Sequence, residues 1–545
     1  MVPEEQKETV GKRDKKMRMN RLLTTMVCGI VGLNSMILAD VSRPRLVVGI
    51  MVDQLRTDYI EYLQNLFTEG GFKKLVKDGA FFKDVDYKVS GLDAVSGTAL
   101  IYTGNYPRYS GITSSKVYSP STKGMVAALH DAISIGNFTS ETYSPVNLRL
   151  STLSDEIMID GAGKGSVYSI AADPQQAIIM AGHAGNSAFW MDENTGRWAT
   201  TTYYRDAPKQ ASQRNYSQPL VSRLDTMQWK PLLSLSSYSG VPEKKKGEGF
   251  THRFPSSDRS VYRMFMASPM MNMEITDIAI SYLKDLSLGH GGDEIDMLNL
   301  AYTVAPYKYD GGTDYRLELE DSYVRLDRQL NRLFNAIERY VGLNNTLIYL
   351  ASTGYYDDSA PDDSQYRTPT GVFSVKRGLS LLNSYLSATY GNGAYVDTYN
   401  NGHVYLDHKE IEEKKLDLKE VAELSRDFLV KMSGVNDAFT MSDIMSSSLP
   451  SMEGLRLGTD PKTGGDVILE FNSGWNIVDD THFPNTIQTA RSSPALTPVF
   501  IMSPGIAPQI ITETIDATAI APTISENLRI RAPNGSISKP ITLKK

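Results

Sequence analysis

The sequence predicts an α/β fold, a three-layer α/β/α core in which a largely parallel sheet lies between two layers of helices. The run 46–52 is apolar or Gly throughout, which is typical of a strand that is buried on both faces. Strand-like and helix-like segments alternate along the chain, as they do in doubly wound sheets. The 545 residues exceed one simple domain, so we also expect an inserted cap.

Asp53 follows the first strand directly. Because ligand sites of open α/β sheets lie at the carboxyl ends of the strands, this carboxylate marks the expected position of a site. The pattern next predicts a helix over 57–77 and a second helix over 93–103, which begins just after a loop. Further along, 177–182 is predicted to be a short strand.

The second half of the chain continues the alternation. The pattern predicts a strand over 295–304, a long amphipathic helix over 314–341 and a buried strand over 346–351. Between the two halves, 187–204 is predicted to form a hairpin, and 213–255 is rich in Ser, Tyr and Lys. We therefore divide the chain into four parts. An N-terminal extension with a signal peptide covers 1–39, and the first part of the core covers 40–183. An inserted cap covers 184–269, and the second part of the core covers 270–545.

Residues 1–39 are predicted to direct secretion. A basic stretch at 19–21 precedes the mostly apolar 22–38, and 36–39 supplies a small-residue cleavage end. Polar residues interrupt the apolar run, which favours cleavage over a transmembrane anchor. We therefore expect a periplasmic, cell-surface or secreted protein with no transmembrane segment after signal removal.

Composition and charge restrict the class of partner. Hydrophobic residues make up 41% and charged residues 22%, values that are ordinary for a soluble protein. The net charge of −7 argues against nucleic acid, which favours basic surfaces. The only cysteine, Cys28, lies in the predicted signal peptide, so a cleaved chain would contain no disulfide and no Cys ligand.

Several stretches, spread in order over nearly the whole predicted mature chain, resemble the PafA-type (phosphate-irrepressible) branch of the alkaline phosphatase superfamily. They are 43–54, 101–104, 151–156, 181–190, 196–204, 465–471 and 519–523. The resemblance implies an α/β/α core with a cap, and a two-zinc site that hydrolyses phosphate monoesters in the periplasm. Such a site places two metal ions on either side of an in-line displacement and needs a cage of Asp and His ligands.

The resemblance also assigns the catalytic and phosphate-binding positions. Asp53 matches the first aspartate ligand. Ungapped alignment through 101–104 places Ala94 at the threonine nucleophile, so no catalytic residue remains there. The phosphate-binding asparagine falls at Ser115, and the Lys-x-Arg phosphate clamp falls at Asp173 and Gln175. A shift of register to Ser96 or Thr98 would restore a hydroxyl but would break the ungapped match.

The remaining metal positions have changed as well. An Asp-x-x-x-His pair falls at Pro306 and Asp310, and the Ala-Asp-His-Gly motif reads Ala-Ser352-Thr353-Gly. His482 matches the last histidine ligand. Only Asp53 and His482 keep the family type of ligand, and Asp310 would ligate with altered chemistry.

From these losses we expect a protein that has lost two-zinc hydrolysis, needs no cofactor, and binds an unidentified protein or small molecule in the cell envelope. Asp53 would then cap the helix that begins near Thr57 rather than hold a metal. The alternative hypothesis is an active metal-dependent phosphatase or phosphodiesterase with a remodelled site, which would hold zinc. The acidic loop 355–363 has carboxylate oxygens of the kind that bind calcium. The alternative is a solvated acidic loop without a metal.

Overall fold

The computed structural model describes residues 43–207, 209–309, 314–356, 371–481, 486–490 and 496–545. The predicted extension and signal peptide, Asp310, His482 and most of the acidic loop lie outside these residues. Within the described ranges, no helix is long and apolar enough to cross a membrane.

The described strands, in chain order, are β1 Leu46–Asp53, β2 Ala80–Phe82, β3 Val85–Asp86, β4 Lys116–Ser119, β5 Gly124–Ala127, β6 Gly136–Asn137, β7 Val167–Ile170, β8 Ser187–Met191, β9 Trp198–Thr201, β10 Gln228–Trp229, β11 His252–Arg253, β12 Asp296–Thr303, β13 Thr346–Ser352, β14 Val372–Ser374, β15 Val396–Asn400, β16 His403–Leu406, β17 Val435–Thr440, β18 Val467–Phe471, β19 Asn476–Asp479, β20 Thr486–Thr489, β21 Val499–Met502, β22 Gln509–Ile511 and β23 Ile515–Asp516.

The described α-helices, in chain order, are α1 Thr57–Tyr62, α2 Phe72–Asp78, α3 Ala94–Thr103, α4 Pro107–Ser110, α5 Leu153–Asp160, α6 Pro174–Ala181, α7 Lys209–Ser217, α8 Val221–Leu224, α9 Val261–Met266, α10 Pro269–Asp285, α11 Arg316–Tyr340, α12 Val375–Tyr390, α13 His408–Glu413, α14 Leu418–Leu429, α15 Met441–Ser446, α16 Glu453–Gly458 and α17 Ile520–Leu528.

A ten-stranded sheet forms the centre of the fold, in the order β22-β2-β21-β13-β1-β12-β7-β8-β9-β6. β1 pairs in parallel with β12 on one side and with β13 on the other. Its alternate side chains enter two different hydrophobic cores, one on each face of the sheet. The predicted α/β class is therefore confirmed, and β1 is a central strand covered on both faces.

Two local predictions are wrong. Residues 177–181 belong to helix α6, with Gly182 at its C-cap, rather than to a strand, because Asp173 accepts a hydrogen bond from the Gln176 N–H and Pro174 occupies the first helical position. The helix predicted over 57–77 is divided into α1 and α2. Gly71 lies at the break, where a Cβ atom would approach the Asp327 side chain to 2.0 Å.

The start of the predicted cap also needs correction. β8 pairs in parallel with β7, and β9 pairs antiparallel with β8, so the hairpin at 187–201 extends the central sheet. All side chains of β8 are buried, with Phe189 in one core and Trp190 in the other. A strand covered on both faces belongs to the sheet core rather than to an appended cap. The other predicted boundaries stay predictions.

A second group of strands lies within the expected second part of the core. β15, β16, β18 and β17 form a four-stranded sheet, and β14, β19 and β20 form a three-stranded one. Together with α12 and α14 they enclose a hydrophobic cluster of their own. We call residues 371–481 the accessory region. It packs into the same compact unit as the rest of Pro44–Lys545.

Candidate functional site

A cavity of about 540 Å³ lies at the carboxyl ends of β1 and β12. It is lined by five of the residues assigned from the sequence, namely Asp53, Ala94, Ser115, Asp173 and Gln175. We call it the carboxylate cavity. The starts of helices α3 and α6 also line it, and helix N-termini favour bound anions.

Asp53 is held from the neighbouring strand end. The Thr353 hydroxyl donates to Asp53 Oδ1 over 3.0 Å, and the Tyr355 hydroxyl also hydrogen-bonds this carboxylate. Gln54, with φ of 61°, turns its N–H toward Thr353 Oγ1 at 3.1 Å. Helix α1 has Arg56 at its N-cap position and no side-chain cap. The predicted capping role of Asp53 is therefore wrong.

Asp93 and Asp173 each begin a helix beside this cavity. Asp93 Oδ1 accepts from the N–H groups of Val95 and Ser96 at the start of α3, and its Oδ2 accepts from the Ser115 N–H at 2.6 Å. Asp173 caps α6 in the same manner. Ala94 is consequently the first residue of α3, one residue after the predicted helix start at 93.

Burial raises the pKa of two carboxyl groups that line the cavity. Burial raises the pKa of Asp53 to about 6; the hydrogen bonds from Thr353 and Tyr355 oppose this shift, and the charges of Asp93 and Asp173 add to it. Burial likewise raises the pKa of Asp173 to about 6, with Asp93 again adding to the shift. Among the described residues, none of these three carboxylates forms an ion pair with Lys or Arg. Such uncompensated carboxyls in a cavity are typical of acid–base sites.

The alternative register does not bring a hydroxyl into the cavity. The Ser96 hydroxyl is fully buried and hydrogen-bonds Asp93. The Thr98 hydroxyl donates to the Ala94 carbonyl at 2.6 Å. Both hydroxyls therefore serve the helix and neither lines the cavity, whereas Ala94 does.

The residues at the expected zinc positions do not fit a two-zinc centre. Ser352 donates to the Leu55 carbonyl, Thr353 donates to Asp53, and Pro306 lies outside the set that lines the cavity. The hydroxyls of Ser352 and Thr353 join the ends of β1 and β13, at positions to which the resemblance assigns metal ligands. A zinc ion there would need carboxylate or imidazole ligands. In the described part of the chain, no group of three or more His, Asp or Glu side chains could hold a metal ion.

Gln175 is a structural residue of this cavity. Its Oε1 accepts from the Leu129 N–H at 3.0 Å, and its Nε2 donates to the Ser115 carbonyl at 2.9 Å. It thereby fixes the loop that carries Ser115, in a position where the resemblance places part of a phosphate clamp. Lys116, the first residue of β4, also lines the cavity.

Sequence reasoning missed three residues that line this cavity. Glu141, Glu193 and Arg263 come from segments in which no motif marks them. Arg263 Nη1 lies 3.8 Å from Glu193 Oε1. Asp93 was detectable, because an Asp just before an apolar helical run is a capping signal. The others become neighbours only through the tertiary fold.

A second, larger cavity of about 590 Å³ lies between the core and the accessory region. Asn401 Nδ2 donates to the Gly91 carbonyl at 2.6 Å, and Arg149 forms an ion pair with Asp460. We call this cavity the accessory cleft. Its lining includes His403 and Glu470, and Lys116 lines both cavities.

Comparison with known proteins identifies relatives along almost the whole chain. The sequence model of the family "Type I phosphodiesterase / nucleotide pyrophosphatase" matches residues 47–493. A protein of Myroides odoratus named calcium-transporting ATPase is 27% identical and covers 96% of this chain and 99% of its own. Alkaline phosphatase PafA of Elizabethkingia meningoseptica is 28% identical, over 92% of this chain and 94% of its own.

A solved structure agrees with the fold. The crystal structure of wild-type PafA superimposes with a TM-score of 0.79 at 26% identity, covering 92% of this chain and 98% of that chain. The resemblance to the PafA branch of the alkaline phosphatase superfamily is therefore confirmed.

The same comparisons correct the functional expectation. The substitutions at the motif positions predict a protein that has lost hydrolysis and serves as a binding or assembly component of the envelope. The family match and the full-length similarity to a protein named alkaline phosphatase support phosphoester hydrolysis instead. The loss of function inferred from the substitutions at motif positions is therefore contradicted.

Proposed function

Because the chain belongs to the Type I phosphodiesterase / nucleotide pyrophosphatase family, we propose that it hydrolyses phosphoesters in the carboxylate cavity, with a remodelled set of residues. The observation that carries the proposal is that Asp53 and Asp173 line one cavity, with Asp93 beside it, and that none of the three has an ion-pair partner among the described residues. Close like charges disfavour each other's ionised form, and sites that keep them are enriched in catalytic function.

The family is metal-dependent, typically with zinc, but the described donors do not fit two zinc ions. In this proposal the described residues carry the proton transfers. Ala94 offers only a methyl group at the start of α3, so the nucleophile is a water molecule beside Asp53. The Asp53 carboxylate accepts a proton from that water while the water oxygen attacks phosphorus. The hydroxyls of Thr353 and Tyr355 keep the carboxylate in place.

The substrate class follows from the charge of the cavity. Carboxylates at Asp53, Asp93 and Asp173 disfavour the dianion of a phosphate monoester. A phosphodiester carries one negative charge, so the carboxylates repel it less, and the cations Lys116 and Arg263 on the cavity wall attract it. We therefore propose phosphodiesters as the preferred substrates, and secretion through the N-terminal segment 1–39 as the route to them.

The test compares hydrolysis of bis(4-nitrophenyl) phosphate with that of 4-nitrophenyl phosphate. Each substrate is assayed in a chelator-treated buffer and in a zinc-supplemented buffer. We expect turnover of the diester that Asp53→Asn abolishes in both buffers, because the Asn side chain cannot accept the proton. The matched control is Glu470→Gln, which changes a carboxyl of the accessory cleft. Absence of turnover in both buffers would contradict the proposal.

A further inference from the structure

Glu141 is a carboxyl on the wall of the carboxylate cavity that no motif marks. It lies on the segment between β6 and α5, and hydrogen bonds fix this segment at several points. Thr139 Oγ1 donates to Asp192 Oδ2 at 2.6 Å, and the Asp131 N–H donates to the Thr142 carbonyl at 2.9 Å. Thr201 Oγ1 donates to the Tyr143 carbonyl at 2.9 Å. The backbone that carries Glu141 is therefore held on both sides.

The surroundings of Glu141 favour its protonated form. Burial raises the pKa of Glu141 to about 7, and the charges of Asp192, Glu193 and Asp173 add to the shift, whereas the hydrogen bond from Tyr143 opposes it. Burial also raises the pKa of the Tyr143 phenol well above its ordinary value. The phenol is therefore a weak acid, and the carboxyl is the better proton source of the two.

We propose that Glu141 is the general acid that protonates the leaving oxygen when a phosphodiester is cleaved in this cavity. This inference rests on the proposed function and deepens it, because it assigns the second proton transfer. It also allows substrates whose leaving groups are alcohols, since an alkoxide leaves readily only when it is protonated.

The step is balanced within the cavity. The water oxygen forms a bond to phosphorus, and the bond from phosphorus to the leaving oxygen breaks. The water gives one proton to Asp53, and the Glu141 carboxyl gives one proton to the leaving oxygen. The products are a phosphate monoester and an alcohol. Return of a proton from Asp53 to Glu141 through solvent restores the starting state.

The charge pattern separates the two roles. Burial raises the pKa of both Asp53 and Glu141, but Asp53 accepts a hydrogen bond from the Thr353 hydroxyl at 3.0 Å, which favours its ionised form, as a base requires. Glu141 accepts one from Tyr143 and faces three other carboxylates, which favour the neutral form that an acid requires. Two carboxyls whose environments differ in this way are the usual basis for assigning acid and base in a hydrolase.

The experiment uses a pair of substrates that differ in the leaving group. Wild type and Glu141→Gln are assayed on methyl phenyl phosphate and on methyl 4-nitrophenyl phosphate. For the phenyl ester we expect kcat/KM to fall about 100-fold or more. For the nitrophenyl ester we expect only a small loss, because 4-nitrophenolate leaves without a proton. Glu470→Gln in the accessory cleft should leave both rates unchanged.

The outcomes separate this inference from the proposed function. Equal losses on the two esters would show a structural role and overturn the inference, while the proposed function would stand. If wild type cleaved neither ester, the proposed function itself would fail. If Glu141→Gln does not fold, the wild-type enzyme is assayed on a series of aryl esters that differ in leaving-group pKa. A shallow dependence of kcat/KM on that pKa supports protonation of the leaving oxygen, and a steep dependence overturns the inference.

Discussion

The two cavities of this protein can be compared through one carboxylate in each, Asp460 and Asp53, which differ in their partners. In the accessory cleft, Asp460 is paired with Arg149 and the His403 Nδ1 accepts a hydrogen bond from the Gly465 N–H. In the carboxylate cavity, Asp53 and Asp173 face each other's charge without an ion-pair partner among the described residues. Paired groups are what a stable fold requires, whereas unpaired ones reduce stability and persist where chemistry needs them.

The comparison also supplies a matched control. Glu470 in the accessory cleft is a half-buried carboxyl whose pKa is raised by burial and by the charge of Asp437. It therefore shares the electrostatic character of Asp53 but belongs to the other cavity. If the two cavities differ in function, equivalent substitutions at these two sites must give different results.

The largest effect is expected for Asp53→Asn. Loss of the base should lower kcat/KM for the diester by about 100-fold or more, measured by steady-state release of nitrophenol. Glu470→Gln should retain the wild-type rate. Equal activities of Asp53→Asn and wild type would contradict the proposed difference between the two cavities, because the carboxylate cavity would then not be the catalytic one.

The next effect concerns the space at the start of α3. Ala94→Leu should fill the position assigned to the attacking water and lower kcat by about 10-fold or more, since small displacements of reacting groups are costly. Ala94→Gly keeps that space open and should remain active. A fully active Ala94→Leu variant would place the water elsewhere.

A third effect couples stability to pH through Asp173. Its pKa in the folded protein, about 6, lies above the ordinary 3.8. Ionisation of Asp173 therefore lowers the free energy of unfolding of the wild type above pH 6, and this loss is relieved as the pH falls toward 4. Asp173→Asn keeps an oxygen that can cap α6 and removes the charge. We expect it to increase the free energy of unfolding at pH 8 by about 1–2 kcal/mol, with the gain vanishing near pH 4.

Thermal denaturation of wild type and Asp173→Asn at pH 8 and pH 4 measures this gain. The same variant should shift the rising limb of the rate profile to lower pH, because the charge of Asp173 contributes to the raised pKa of Asp53. A destabilised variant at pH 8 would show that the carboxylate at this position stabilises the fold.

The smallest effect is confined to the accessory cleft. Burial lowers the pKa of His403 to about 4, so the unfolded chain binds a proton below pH 6.5 before the folded protein does. Wild type should therefore lose about 1–2 kcal/mol of stability between pH 7 and pH 5. His403→Asn should show a smaller loss over this range and unchanged hydrolysis.

His408 provides the opposite case for that measurement. Its hydrogen bond to Asp466 raises the pKa of the imidazole, so its contribution is present at low pH and is lost as the pH rises. His408→Asn should therefore increase the loss of stability on acidification. The same trend in both variants would contradict the assignment of His403 as a neutral buried group.

The sequence by itself determined the strand that organises the sheet and the helix start beside it. The apolar run before Asp53 requires burial on both faces, and Asp93 before an apolar helical stretch specifies where α3 begins. These signals are local, because they depend on side-chain pattern and on backbone N–H groups that need an acceptor. The resemblance to the PafA branch followed from such stretches and is confirmed.

Only the tertiary structure brought Glu141 to the same cavity as Asp53 and Asp173, and placed Asp93 beside it. These residues lie far apart along the chain, and the burial that raises the pKa of Asp53, Glu141 and Asp173 is a property of the packed protein. Motif comparison alone recorded the substitutions at Ala94 and Thr353 as losses and led to the wrong function. Motif comparison could not show that the fold places carboxyl groups outside the motifs, such as Glu141, near these positions. The interaction between charges depends on their distance in space and not on their separation along the chain.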